Sequence, residues 1–214
     1  MNKSLLAATI ALACAAAPTL ADDLAPPTWR GSAGTTFQHW DFSAGPGGGA
    51  PDGLPPWNNP NGTPMLTASA PTNWLSSFAG RNDVWAVNAN NILTFDIPNF
   101  GVQTHQKELV LQVTYFDPVP GIGIGVLVMA GSGFFTQVGS STITQLGNGW
   151  VHEVSTWSLA VCPPMEHVQI TPPVFGATSF VDQVVIDTRC FPVPGPGATA
   201  LAGVAGLISR RRRR

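Results

Sequence analysis

At 214 residues with only 10% charged side chains, the chain has the length of one globular domain with short appendages. Its 23 Gly and 20 Pro argue against a helical bundle, while a 44% hydrophobic content is enough to bury a core and excludes wholesale disorder. Lys3 and Lys107 are the two lysines, which leaves little for nucleic-acid binding once a terminal arginine run is set aside.

Lys3 gives a positive start, residues 5–17 form an almost unbroken apolar run, and Pro18-Thr19-Leu20-Ala21 leads into Asp22-Asp23. That is the pattern of a secretory signal over residues 1–21, cut by signal peptidase between Ala21 and Asp22. The run is too short to span a bilayer, which takes about 20 residues. Cys14 lies inside it, behind Ala11-Leu12-Ala13, a poor match to a lipid-attachment site, and is expected to leave with the signal.

Residues 22–33 read as extended, and strands follow. Residues 35–42 are rich in Thr and aromatics and run into the glycine- and proline-rich loop 44–51. No Gly-Lys-Ser/Thr follows those glycines, so they do not cradle a phosphate. Residues 52–71 read as irregular. Further strands are expected at 83–87, 92–97, 107–116, 122–130, 134–138, 142–146, 150–159, 166–170 and 180–187. In 107–116, Leu109, Leu111, Val113 and Tyr115 share one face and Glu108, Gln112 and Thr114 the other, the alternation of a half-buried antiparallel strand. Many short strands and no 3.6-residue period imply an all-β domain over residues 22–192. The expected architecture is an antiparallel, jelly-roll-like β-sandwich.

Cys162 and Cys190 are the cysteines left after signal removal, and export places them where a disulfide forms. The expected catalytic residues are none. Gly131-Ser132-Gly133 lacks a nucleophile elbow, and His39, His105, His152 and His167 show no metal-ligand spacing. A glycan hydrolase would need two converging carboxylates among residues such as Glu108 and Glu153, and Glu108 reads as solvent-exposed. Trp57 and Trp74, in or beside the irregular segment, are the candidates for stacking on a sugar ring, against the alternative that they plug the sandwich end. Asp41 and Asp182, on the first and last predicted strands, have the hard ligands that suit a structural Ca²⁺, although no cofactor is required.

Residues 193–214 differ from everything before them. Val193-Pro194-Gly195-Pro196-Gly197 opens a small apolar stretch, 198–209, and Arg210, Arg211, Arg212, Arg213 and Arg214 close it. As a helix the stretch rises about 18 Å, against a hydrocarbon core of about 30 Å, so it suits a transient membrane stop with the arginines held on the cytoplasmic side. A proline motif, short apolar helix and arginine cluster behind a signal peptide resemble the PEP-CTERM sorting signal, here with Pro194-Gly195-Pro196 in place of the usual Pro-Glu-Pro. The resemblance implies that an exosortase cuts near Pro194, Gly195 or Pro196 and delivers the protein to the cell surface or extracellular matrix. With both ends gone, four basic residues (Arg30, Arg81, Lys107, Arg189) face twelve acidic ones, a body that opposes polyanion binding. The expected product is an exported, non-enzymatic surface or matrix protein. The alternatives are a carbohydrate-binding module for extracellular polysaccharide and, more weakly, a secreted glycan hydrolase.

Overall fold

The computed structural model describes residues 22–52, 58–70, 73–117, 121, 123–131, 133–172 and 177–193. Ala21 and the rest of the expected signal, Trp57, and the expected sorting segment from Pro194 to Arg214 lie outside the described residues.

Two antiparallel sheets make up the fold, and the described residues contain no α-helix. The larger sheet runs β10 (Thr142–Gly147), β11 (Trp150–Leu159), β6 (His105–Phe116), β13 (Ser179–Pro192), β4 (Arg81–Val87) and β3 (Trp74–Phe78). In it, β1 (Thr35–Trp40) also pairs with β13, and β9 (Thr136–Gln137) with β11. The smaller sheet runs β2 (Met65–Ala68), β5 (Leu93–Pro98), β12 (Met165–Thr171), β7 (Gly125–Ala130) and β8 (Gly133–Phe134). Inward side chains of both sheets meet in one apolar cluster. Leu109, Leu111, Val113 and Tyr115 of β6 belong to it, with Phe95 and Ile97 of β5 and Val168 and Ile170 of β12. The all-β class and the period-two reading of residues 107–116 match this sandwich-like arrangement.

Two strands escape the sequence reading. β2 has only four residues, too few for alternation to register, and lies in the stretch read as irregular. β3 joins β4 through Ala79-Gly80, both with positive φ (47° and 84°), the backbone of a type I′ hairpin turn. Ala-Gly is a far weaker hairpin signal than Asn-Gly, because alanine adopts that conformation reluctantly. β13 outruns its expected end because its ladder with β6 continues to Pro192 opposite His105.

The outer face of the larger sheet is covered by the chain itself. Residues 22–32 lie across it as a strap. The Ala25 N–H donates to Gln112 Oε1 at 3.0 Å, Gln112 Nε2 donates to Asp23 at 2.8 Å, and the Trp29 indole donates to Glu108 at 3.0 Å. Gln112 and Thr114 are thereby buried, so β6 is closed on both faces; Glu108 is partly covered and ion-paired to Arg189 at 2.8 Å, where the sequence suggested exposure. Three arginines pin the strap. Arg81 binds the Asp22 carboxylate, Arg189 stands 5.0 Å over the Trp29 ring, and Arg30 binds Asp23 while making two 2.6 Å bonds to Asp187. Arg30 also stacks 4.0 Å over Phe37.

The Asp187 side chain is fully buried, so removing Arg30 strands a carboxylate without its counter-charge. Arg30→Ala is expected to destabilise the domain by about 3 kcal/mol, the low end for a buried pair because Arg30 keeps some solvent contact. Urea unfolding followed by tryptophan fluorescence checks this: the midpoint falls while the slope stays constant, and an unchanged midpoint rejects the pinning role.

Candidate functional site

Cys162, after β11, and Cys190, on β13, are disulfide-bonded with Cα atoms 5.9 Å apart. The bond ties the loop leading into the smaller sheet to the longest strand of the larger one. Trp74, on β3, is half-buried; its ring packs on the core, and its indole N–H donates to the Phe42 carbonyl at 3.2 Å. Asp182 is the extra residue of a β-bulge in β13 and accepts a 2.6 Å ion pair from Arg81. Asp41 follows β1, which does pair with β13, so the first and last predicted strands are neighbours. Among the described residues, no three His, Cys, Asp or Glu side chains are grouped to hold a metal.

Glu108 and Glu153 project from opposite faces of the larger sheet: Glu153 lies opposite Val113, an inward residue, and accepts the Tyr115 hydroxyl at 3.0 Å. They cannot serve one cleft. The histidines sit on separate strands. His152 is buried on the strap side, its ring nitrogens 3.0 Å from Thr114 Oγ1 and 3.2 Å from Gln112 Oε1, and burial lowers its pKa. His167 Nδ1 lies 2.6 Å from Asp96 on the outer face of the smaller sheet. Among the described residues no segment straps that face: Met65, Asp96, His167, Met129 and Phe134 form one row across it, and Phe134 is 68% exposed.

Three clusters of titratable side chains are built into the fold. In the first, Asp52 cradles the turn after β1. Its oxygens accept the N–H groups of Asp41, Phe42 and Ala44 at 2.9, 2.6 and 3.3 Å, and the Ser43 hydroxyl at 3.3 Å. The cradle holds Phe42 at φ 61°, a left-handed conformation a bulky residue rarely adopts, with the ring in the core. Burial plus the neighbouring Asp41 charge push Asp52 up to about 6, while Asp41 is lowered. The pair thus holds a proton at mildly acidic pH. The depression beside it, lined by Trp40, Gly48, Leu66 and Trp85, is about the size of one water molecule.

The second is the outer-face network around Arg30 and Asp187 described above. The third lies between the sheets. Lys107 of β6 and Glu166 of β12, both with fully buried side chains, are 2.7 Å apart. Lys107 Nζ also donates to Thr188 Oγ1 at 2.8 Å, and Asn99 Nδ2 donates to Glu166 Oε1 at 2.9 Å and to Thr188 Oγ1 at 3.3 Å. Sequence reading missed this group, although a signal exists. Lys107 has the parity of Leu109 and Leu111, and Glu166 that of Val168 and Ile170, so each strand carries one charge on its core-facing side.

No protein-family profile matches the chain, and no curated protein matches it.

Because Asp52 keeps its proton to higher pH in the folded chain than in the unfolded one, where 3.8 applies, the folded state binds the extra proton between about pH 4 and 6. Its contribution to stability therefore falls as pH rises through that window. Asp41→Asn removes the neighbouring charge and is expected to flatten this part of the pH–stability profile relative to the parent. Unfolding free energies measured from pH 4 to 7 check it, and parallel profiles count against a coupled pair.

Proposed function

We propose that this chain is an exported, exosortase-sorted protein of the cell surface or extracellular matrix, whose working part is a non-enzymatic β-sandwich spanning residues 22–192. The observation that carries the reading is the pairing of a signal-like N-terminus with a Pro194-Gly195-Pro196 motif, a stretch too short to span lipid, and five terminal arginines. The Cys162–Cys190 disulfide supports it, since such bonds persist in oxidising compartments. Asp22 and Asp23 support it as well: the residues that would head the mature chain are bonded to Arg81 and Arg30 of the folded domain.

The jelly-roll form of the sandwich is part of this reading. The chain crosses repeatedly between sheets, with β5, β7 and β12 in the smaller sheet and β6, β11 and β13 in the larger, as jelly-roll connectivity requires. The body's cations also favour a role that does not grip polyanions. Arg30, Arg81 and Arg189 are engaged under the strap and Lys107 between the sheets, each already paired with a carboxylate of the domain itself. Polysaccharide stacking through Trp74 has weaker support, because its indole N–H is committed to Phe42 and its ring to the core.

Mass spectrometry of the protein recovered from its native host tests the reading. The expected polypeptide starts at Asp22 and ends near Pro194, and deletion of residues 193–214 is expected to misdirect it. A surface form that keeps Arg210 through Arg214, or a tail deletion without effect on location, would reject the proposal.

A further inference from the structure

We infer that Lys107, Asn99 and Glu166 form a self-modifying centre that joins the Lys107 and Asn99 side chains by an intramolecular amide bond. Three features of the geometry carry this, independently of the export reading. First, Lys107 Nζ and Asn99 Nδ2 donate to the same two oxygens, Glu166 Oε1 and Thr188 Oγ1, at 2.7 and 2.8 Å and at 2.9 and 3.3 Å, which holds the amine beside the carboxamide. Second, the Asn99 carbonyl oxygen accepts the Phe100 N–H at 2.8 Å, a donor placed where negative charge develops when a nucleophile adds to Cγ. Third, Glu166 Oε2 is buried and has no hydrogen-bond partner among the described residues, an expensive arrangement for a group whose only task is a static ion pair.

The electrostatics run the same way. Burial lowers the Lys107 pKa and raises that of Glu166 to about 6, against the mutual attraction of the two charges, so removal from water narrows the gap between the ion pair and its neutral amine–acid form. A neutral amine is the form that attacks a carbonyl carbon.

The step balances without a co-reactant. The Nζ lone pair adds to Asn99 Cγ, and Glu166 accepts a proton from Nζ and delivers a proton to Nδ2. The Cγ–Nδ2 bond breaks, ammonia leaves, and Glu166 returns to its starting protonation state. One carboxamide has been exchanged for another, with Nζ and Cγ now bonded. The product links the end of β5 in the smaller sheet to the start of β6 in the larger. It lies beside the Cys162–Cys190 disulfide, whose Cys190 Sγ is 3.9 Å from Lys107 Nζ. That end of the sandwich would then carry two covalent ties, one of which survives reduction.

The sequence makes the test simple, because Lys107 is the only lysine apart from Lys3. The full chain, expressed with export intact, is purified, reduced, denatured and treated with a lysine-specific protease, and its intact mass is measured. The expected result is a mass lower than that of the polypeptide by one ammonia, with no cleavage after Lys107. Glu166→Gln is expected to restore both the full mass and cleavage, and Asn99→Asp to lose one water in place of ammonia. Full mass with cleavage after Lys107 in the parent chain overturns the proposal. So does loss of ammonia with Lys107 still cleaved, which places the loss at another asparagine. The parent chain alone decides the matter if a variant fails to fold.

Discussion

Each Lys and Arg side chain in residues 22–192 is paired with a carboxylate of the fold, and the domain's layering depends on that constraint. The larger sheet has β6 and β13 at its centre, and both bury polar groups on the face turned away from the core: Gln112 and Thr114 on one, Asp187 on the other. A buried carboxylate or amide without a partner is costly, so this face has to be closed by something that brings hydrogen bonds with it. The strap of residues 22–32 does so, and Arg30 is its pivot, bonded to Asp23 on the strap and Asp187 on the sheet. Between the sheets, Lys107 plays the corresponding part against Glu166.

This use of charge bears on function. A domain whose four Lys and Arg side chains are each paired with its own carboxylates has little with which to hold a polyanion. The layers are also unequal. One sheet is covered by the strap, while among the described residues no segment straps the face of the other, where the His167–Asp96 pair is flanked by Met65, Met129 and Phe134. Contacts with other molecules have more room there than on the strapped side.

Much of the architecture was legible in the sequence because strand periodicity is a local property. Residues 150–159 are the whole of β11 as expected, and the inward set of β6 follows from alternation alone. The Cys162–Cys190 bond follows from there being two cysteines outside the expected signal. Less was legible where structure depends on remote partners. The outer face of β6 reads as solvent-facing because its cover, residues 22–32, is separated from it by most of a hundred residues of chain and has no period of its own. The Asp41–Asp52 pair forms only because a loop folds back on β1. Trp74 reads as a loop residue because the Ala79-Gly80 turn that makes it part of a hairpin is a poor turn sequence. The Lys107–Glu166 contact joins two strands whose individual patterns each mark a charge on the core side, without indicating that the two meet.

Hydrogen exchange at the Ala25 amide, read by mass spectrometry or NMR, probes the closed outer face at a sensitive point, since this N–H has one side-chain partner, Gln112 Oε1 at 3.0 Å. Strapping predicts that Ala25 exchanges far more slowly than an unstructured amide and loses that protection when Gln112 is replaced by alanine. Exchange at the unstructured rate in the parent chain would mean that residues 22–32 do not close the sheet.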